Sequence, residues 1–267
     1  MPLELTAMSF DSDRIVDLID RSSLTQRPLR RHVMYQEWRH LTFLHWEVPV
    51  ELLRPLVPRA LELDLYQGRA FIGLVPFTMC GVRPIGVPSI PLFSRFHETN
   101  VRTYVHFQGR DPGVWFFSLD AANPLAVVLA RAWYRLPYFH ARMSLIRSGF
   151  QTEGSGEVVT YSSRRLRSGS SPAECRVSCR PGGPIAPAEP GTLEHFLAER
   201  YLLYTEYRGR LLSGRVFHTP YPLQSAEVLD LEETLLSVAG LPRPDHAPLA
   251  HFSPGVRVRV YPLTPVP

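Results

Sequence analysis

Apolar and polar residues alternate along most of the chain after about residue 33, and this period of two is typical of β-strands. The segment FHETNVRTYVHF, residues 96–107, shows the alternation clearly, because Val101, Thr103 and Val105 are interleaved with polar residues. Those polar positions are Glu98, Asn100, Arg102 and Tyr104. A strand that carries an acid, an amide, a guanidinium and a phenol on one face predicts a polar environment on that side.

The next segment, GVWFFSLDA over residues 113–121, is also strand-like and follows the loop QGRDPG, so the pair predicts an antiparallel hairpin. We expect Arg102 opposite Ser118 and Asn100 opposite Asp120, because this register collects the polar side chains on one face. The other face then carries Val101, Thr103, Val105, Trp115, Phe117 and Leu119. In this arrangement the polar face lines an interior cavity, and the apolar face packs outward under a helix.

Three helices are predicted among nine or ten strands. Asn123 and Pro124 supply an N-cap and a first helical position for a helix that runs to Pro137. Thr192 precedes a second helical segment, LEHFLAERYLLY, and a third helix is expected within residues 225–240. The pattern predicts an α+β fold, a mainly antiparallel β-barrel or cone with about three helices packed outside. Barrels of this size enclose one small ligand.

Composition and charge limit the classes of partner that the protein is expected to bind. All 29 basic residues other than histidine are arginine, so the 267-residue chain has no lysine. The net charge of +4 is small for this length and acids are interspersed, which argues against a nucleic-acid partner. The sequence shows neither a membrane span nor the apolar core of a secretory signal, so we expect a cytoplasmic protein with no membrane partner. Residues 1–32 are expected to form an N-terminal arm, and residues 33–267 a single β-barrel domain.

Metal sites and disulfides are not predicted. The three cysteines are an odd number, which does not fit a secreted disulfide framework. Cys175 and Cys179 lie four residues apart in strand-like sequence, a separation of roughly 13 Å. That distance is too long for both sulfurs to bind one zinc ion. We therefore expect buried structural thiols and no metal or other cofactor.

The polar face of residues 96–107 supplies the candidate site. Arg102 is expected to bind a carboxylate or enolate, and Glu98 to act as a general acid or base. The predicted ligand-binding residues are Asn100, Tyr104, Asp120, Arg165 and His218. Two alternatives stay open: these residues form a structural polar network that holds the strand register, and Asp120 caps the helix that follows it.

Several motifs occur in order along the chain: LTFLHWEVP, LVPFTMCGVRP, FHETNVRTYV, GVWFFSLDA, ARAWYRLPY, YSSRR, FLAERYLLY and HTPYPLQSA. Through them the chain resembles, from roughly Met34 to Tyr261, the YqjF-like family of bacterial proteins, a domain-of-unknown-function family similar to the acetoacetate decarboxylase superfamily. The resemblance implies a largely antiparallel barrel or cone with an internal pocket. Acetoacetate decarboxylase uses a lysine amine to form a Schiff base, and arginine cannot replace it because guanidinium stays protonated.

The predicted function is therefore the binding of a small, anionic and partly apolar organic molecule inside the barrel, with acid/base chemistry that needs no lysine. The alternative is a non-catalytic structural or regulatory protein that acts through an external interface, such as that of a homo-oligomer. An exposed apolar patch on a protein without an internal cavity would favour this alternative.

Overall fold

The structure, a computed structural model, describes residues 19–90, 94–149, 156–166 and 172–267. Within these residues the fold is mostly strand, an α+β arrangement of twelve strands and four short helices. The strands are β1 (Met34–Val48), β2 (Glu62–Leu63), β3 (Ala70–Pro84), β4 (Phe96–Phe107), β5 (Arg110–Ala121), β6 (Tyr138–Ser148), β7 (Val158–Arg165), β8 (Glu174–Ala186), β9 (Leu202–Tyr207), β10 (Arg210–Phe217), β11 (Leu223–Glu233) and β12 (Leu249–Pro265). The helices are α1 (Val50–Leu53), α2 (Pro124–Trp133), α3 (Leu193–Ala198) and α4 (Leu235–Val238). The predicted α+β class is confirmed.

The strands form one sheet in the order β10-β9-β5-β6-β7-β8-β11-β12-β1-β3-β4-β2. Two additional pairings, β4 with β5 and β10 with β12, link strands that are far apart in this order. Most neighbours are antiparallel, but β5 runs parallel to β6 and to β9. β4 is buried at every position except His97, so both of its faces lie in the interior.

Two apolar cores lie on opposite faces of β1, β3 and β4. The first core includes Leu41, Phe43, Val75, Phe77, Leu119 and Val258. The second core includes Leu44, Trp46, Leu74, Val101, Tyr161 and Val177. Successive side chains of a strand point to opposite faces, so Phe43 and Leu44 belong to different cores.

The β4–β5 hairpin turns at Gln108 and Gly109, whose φ angles of 49° and 70° place both residues in the left-handed region, as in a type I′ turn. The predicted register is wrong by one residue, because Asn100 lies opposite Leu119 and not opposite Asp120. The sequence reading placed the turn in the longer QGRDPG segment, whereas the strand resumes directly after Gly109.

A β-bulge in β5 changes the pairing further along the same hairpin. Val101 pairs with Ser118, but the next residue, Arg102, pairs with Phe116, so one residue of β5 is skipped. Side chains opposite each other share a face. Asp120, which lies opposite Thr99, therefore faces the second core, on the other side of β4 from Arg102.

Helix α2 begins as predicted, because Asn123 is its N-cap and accepts hydrogen bonds from the backbone N–H groups of Leu125 and Ala126. The alternative in which Asp120 caps this helix is therefore wrong. The helix packs on the first core through Val127. It was expected to cover the face of Val101, but that residue lies in the second core.

The helix predicted within residues 225–240 is much shorter than expected, because a strand occupies this segment as far as Glu233. β11 pairs with β8 along most of its residues, and only Leu235–Val238 is helical. The second predicted helix is shorter than expected and ends at Ala198, before β9. In both places a partner strand satisfies the backbone hydrogen bonds, and this outweighs local helix propensity.

The described part of the predicted arm, residues 19–32, contacts the rest of the protein. Arg21 forms an ion pair with Asp64 at 2.5 Å. Arg215 donates hydrogen bonds to the backbone carbonyls of Leu24 and Gln26 at 2.7 and 3.1 Å. Residues 1–18 lie outside the described residues. None of the described helices has the length and apolar character needed to cross a membrane.

Candidate functional site

A cavity of about 550 Å³ lies within the first core. It is bounded by residues of β1, β3, β4, β5, α2 and β9, by single residues of β6, β10 and β12, and by residues of the segments that connect these elements. Most of the lining is apolar, and the acidic and basic side chains among the described lining residues are Glu98, Arg102 and Arg200. A concave, mostly apolar pocket with a few polar groups is the usual form of a small-molecule site.

Glu98, Asn100 and Arg102 line the cavity together because they are alternate residues of β4. All three are buried, with 2%, 5% and 8% of their surface exposed. Tyr104 continues this row on the same face. Its hydroxyl lies 2.7 Å from Nε2 of His45 and donates to the backbone carbonyl of Leu197 at 2.8 Å.

Glu98 is a carboxylic acid at neutral pH. Burial raises its pKa to about 8, although a hydrogen bond from Tyr138 acts in the opposite direction. The Tyr138 hydroxyl donates to Oε2 of Glu98 at 2.8 Å. At this position the cavity therefore holds a neutral proton donor.

Arg102 contacts a backbone carbonyl and aromatic rings rather than a carboxylate. Its Nη2 donates to the backbone carbonyl of Leu197 at 3.1 Å, and its guanidinium lies 5.7 Å from the ring centre of Phe43. Among the described residues no carboxylate forms an ion pair with it, and its Nε has no hydrogen-bond partner. The buried Oδ1 of Asn100 also has no partner in the described part of the chain. Buried polar atoms are normally hydrogen-bonded, so these two side chains have capacity for a ligand.

Arg200 is a cavity residue that the sequence reading missed. Its Nη1 donates to Oδ2 of Asp64 at 2.6 Å, and its Nε donates to the backbone carbonyl of Phe196 at 2.7 Å. The guanidinium also stacks on the ring of Tyr104, 4.6 Å from its centre. Burial lowers the pKa of Arg200, and the carboxylate of Asp64 opposes this shift. Its local sequence, AERYLLY, was read as helix, and no local signal indicated that its side chain enters the interior.

Asp120 and Arg165 lie away from the cavity. Arg165 donates to Oδ1 of Asp120 from Nε at 3.0 Å and from Nη2 at 2.8 Å, and both side chains are almost fully buried. Burial raises the pKa of Asp120, and the hydrogen bonds and charge of Arg165 counteract this effect. The predicted register placed Asp120 on the same face as Arg102, whereas the observed register places them on opposite faces of β4.

His218 lies one layer behind the cavity wall. Its ring stacks on that of Tyr201 with centres 4.5 Å apart, and lies 4.6 Å from the ring of Tyr221, which lines the cavity. Its Nδ1 is hydrogen-bonded to the backbone carbonyl of Thr219 at 2.8 Å. Burial lowers the pKa of His218 to about 4, so the ring is neutral at physiological pH. His218 is not among the described lining residues, and it contacts the wall through Tyr221.

A sequence profile of the DUF2071 family, described as an uncharacterized conserved protein, matches residues 35–257. The chain belongs to this family. Uncharacterized protein YqjF of Bacillus subtilis (strain 168) is 39% identical over 231 residues, which cover 86% of this chain and 91% of that relative. The family resemblance noted in the sequence is confirmed.

Solved structures similar to this family member include acetoacetate decarboxylase-like proteins. The enduracididine biosynthesis enzyme MppR complexed with pyruvate has a TM-score of 0.63 at 12% identity, over 90% of this chain and 93% of that chain. An acetoacetate decarboxylase-like enzyme from Sphingomonas wittichii RW1 has a TM-score of 0.61 at 14% identity, over 91% and 96%. Acetoacetate decarboxylase from Legionella pneumophila subsp. pneumophila str. Philadelphia 1 has a TM-score of 0.61 at 12% identity, over 99% and 98%. At these identities the likeness shows the fold alone.

Proposed function

We propose that this DUF2071 protein binds a small, partly apolar organic anion in the first-core cavity. The observation that carries the proposal is the combination of Arg102 and Asn100 at the wall of a mostly apolar cavity, each with a buried polar atom that has no partner among the described residues. In a water-poor site a guanidinium is a strong donor to a carboxylate or enolate.

The neutral state of Glu98 supports an anionic ligand. With a pKa of about 8, its carboxyl group is mostly protonated at neutral pH and does not repel a bound carboxylate. It can instead donate a hydrogen bond, or supply a proton to an oxygen or carbon that gains negative charge during a reaction. Glu98 is thus the proposed general acid, with Tyr138 holding its other oxygen.

Schiff-base decarboxylation is not part of the proposal, because the chain has no lysine and the buried guanidinium groups of Arg102 and Arg200 are poor nucleophiles. One protein of similar fold is complexed with pyruvate. Short oxo acids and simple carboxylates are therefore suitable first probes for this cavity. A cytoplasmic location, a homo-oligomeric state, and the division into an arm of residues 1–32 and one domain of residues 33–267 stay predictions.

Replacing Arg102 tests the anion site. Pyruvate, acetoacetate and butanoate are titrated by calorimetry into the wild-type protein and into the Arg102→Gln variant. We expect the affinity to fall by about ten- to a hundredfold in the variant, because a hydrogen bond to a charged group contributes about 1.5–3 kcal/mol. Arg257→Gln is the matched control, since it removes one positive charge from an exposed side chain of β12.

Equal affinity of the wild-type protein and the Arg102→Gln variant would contradict the proposal, as would the absence of binding for every carboxylate. The external-interface alternative would be favoured by an exposed apolar patch on a protein without an internal cavity. The cavity in the first core does not meet the second of these two conditions. An Arg257→Gln variant that also loses affinity would indicate a nonspecific charge effect.

A further inference from the structure

The lining of the cavity follows β3 over much of its length. β3 alone contributes lining residues from Val75 to Pro84, and these bounds are nine residues apart. At about 3.3 Å per residue a regular strand of this length spans roughly 30 Å, and the bulge at Gly81, whose φ angle is 60°, makes this stretch of β3 shorter than that. With a volume of about 550 Å³, the cavity is therefore long relative to its width.

Among the described lining residues, the acidic and basic side chains lie at one end of this cavity. Glu98 lies opposite Phe77 on β3, Asn100 opposite Val75, and Arg102 opposite Gly73. Arg200 stacks on Tyr104, two residues further in the same direction along β4. Glu98, Arg102 and Arg200 thus lie at or beyond the level of Phe77, and the two arginines lie furthest along β4 from the level of Pro84.

The opposite end of the cavity is apolar. Pro84 lies seven residues beyond Phe77, roughly 20 Å further along β3. The lining there comes from Met34, Trp38, Met79, Val82 and Pro84. The polar side chain of Gln36 in this region is already bonded, because its Oε1 accepts from Nε1 of Trp38 at 2.8 Å.

This apolar lining continues to the protein surface. Val87, Ile90, Leu125, Leu129 and Trp133 line the cavity and are also 45% to 53% exposed. Exposed apolar side chains that continue into a cavity provide a path for an apolar group between the interior and the surface. A compact acid such as pyruvate, whose apolar part is a single methyl group, would leave most of this apolar length without contact.

We infer that the ligand is an amphipathic monocarboxylate, with its carboxylate at Arg102 and a long alkyl or aryl-alkyl tail running past Phe77 and Met79 towards α2. The inference rests on the proposed function, because it assumes the anion site at Arg102, and it adds the chemical class of the remainder of the ligand. The tail supplies affinity through apolar burial, and the head group sets its orientation.

A series of straight-chain carboxylates tests the inference. Butanoate, hexanoate, octanoate, decanoate and dodecanoate are titrated by calorimetry into the intact protein, below the concentrations at which they form micelles. We expect the dissociation constant to fall about fourfold for each added methylene, because each buried methylene contributes a fixed increment of binding free energy. 1-Octanol, which has the tail but no carboxylate, should bind at least about tenfold more weakly than octanoate.

Two exposed residues of α2 provide a matched pair of variants. Leu129 lines the cavity, whereas Val128 is 61% exposed and is not part of the lining. Leu129→Gln should weaken dodecanoate binding at least about fourfold, the contribution of one methylene, and leave butanoate binding unchanged. Val128→Gln should change neither affinity. Both positions are on the surface, so the fold is retained in both variants.

The outcomes separate the two proposals. An affinity that does not change from butanoate to dodecanoate would overturn the long-tail inference. If butanoate binding nevertheless depends on Arg102, the proposed anion site is retained. Octanol binding as tightly as octanoate would overturn the anion site and therefore also the assignment to carboxylates. Equal effects of Leu129→Gln and Val128→Gln on dodecanoate would refute the path along α2.

Discussion

At the scale of single residues, Glu98 has the most unusual chemistry in the cavity. Its carboxyl group has one phenol as a hydrogen-bond donor and no cation as an ion-pair partner among the described residues. Burial therefore dominates and raises its pKa from the usual 4.5 to about 8. A proton retained on Glu98 keeps this end of the cavity favourable for an anion, because a carboxylate there would repel it.

The Glu98→Gln variant tests this protonation state through stability. In the wild-type protein the folded state keeps the proton between about pH 4.5 and 8, whereas the unfolded chain has lost it. The stability contribution of Glu98 is therefore complete below pH 4.5 and is lost as the pH rises through 8. Over this interval Glu98 should lower the free energy of unfolding of the wild-type protein by up to about 1.4 kcal/mol per pH unit. We expect urea unfolding of the variant to lack this contribution.

Burial also raises the pKa of other acids, among them Asp120 and Glu199, so they give the wild-type protein a slope of the same sign. The difference between the two proteins is therefore the informative quantity. Parallel stability curves for the wild-type protein and the Glu98→Gln variant between pH 5 and 8 would show that Glu98 is ionised in the folded state. The same variant should also retain carboxylate affinity above pH 8, where the wild-type protein loses it.

At the scale of secondary-structure elements, the described part of the N-terminal arm meets the cavity wall through Asp64. This carboxylate binds Arg21 of the arm through Oδ1 and Arg200 of the wall through Oδ2. The Arg21 side chain is 22% exposed, whereas those of Arg200 and Asp64 are 3% and 0% exposed. Asp64 is therefore the residue on which the position of Arg200 depends, and Arg21 is a peripheral partner.

Variants at the two ends of this connection should differ in stability. We expect Arg21→Ala to lower the free energy of unfolding by about 1 kcal/mol or less, because it removes a partly solvated pair. Asp64→Asn should lower it by about 3–5 kcal/mol, because Arg200 is left buried without a charge partner. Urea unfolding measures both, with the exposed arm residue Arg27 replaced by Ala as the control. An Asp64→Asn variant as stable as Arg21→Ala would contradict the assigned roles.

At the scale of the whole molecule, β1, β3 and β4 separate two interiors with different contents. The first core contains the cavity, and the second contains the buried Asp120–Arg165 pair. Such a pair stabilises little by itself, but removal of one partner leaves an uncompensated charge in the interior. A substitution in the second core should therefore lower stability without changing ligand binding in the first core.

Arg165→Gln tests this separation. We expect the variant to lose about 3–5 kcal/mol of unfolding free energy, because Asp120 loses its buried partner. The dissociation constant of octanoate for the folded fraction should remain that of the wild-type protein, in contrast to Arg102→Gln. Urea unfolding and calorimetry measure the two quantities. A large loss of affinity in Arg165→Gln would show that the two interiors are coupled.

The sequence by itself determined those features that depend on local or covalent properties. The alternation of β4 places Glu98, Asn100 and Arg102 on one face, the Asn-Pro pair starts α2, and the absence of lysine excludes a lysine Schiff base. These follow from strand geometry, side-chain capping and composition, and none of them requires knowledge of a distant partner.

Only the tertiary structure decided which distant residues meet. The turn at Gln108 and Gly109 and the bulge in β5 move Asp120 away from Arg102, and Arg200 enters the cavity from a segment read as helix. A shift of one residue in a strand pair reverses the face of each side chain, and its cost depends on the packing of both faces at once. Local periodicity carries no information about that packing, so the register, the second core and the position of Arg200 emerge only when the strands assemble.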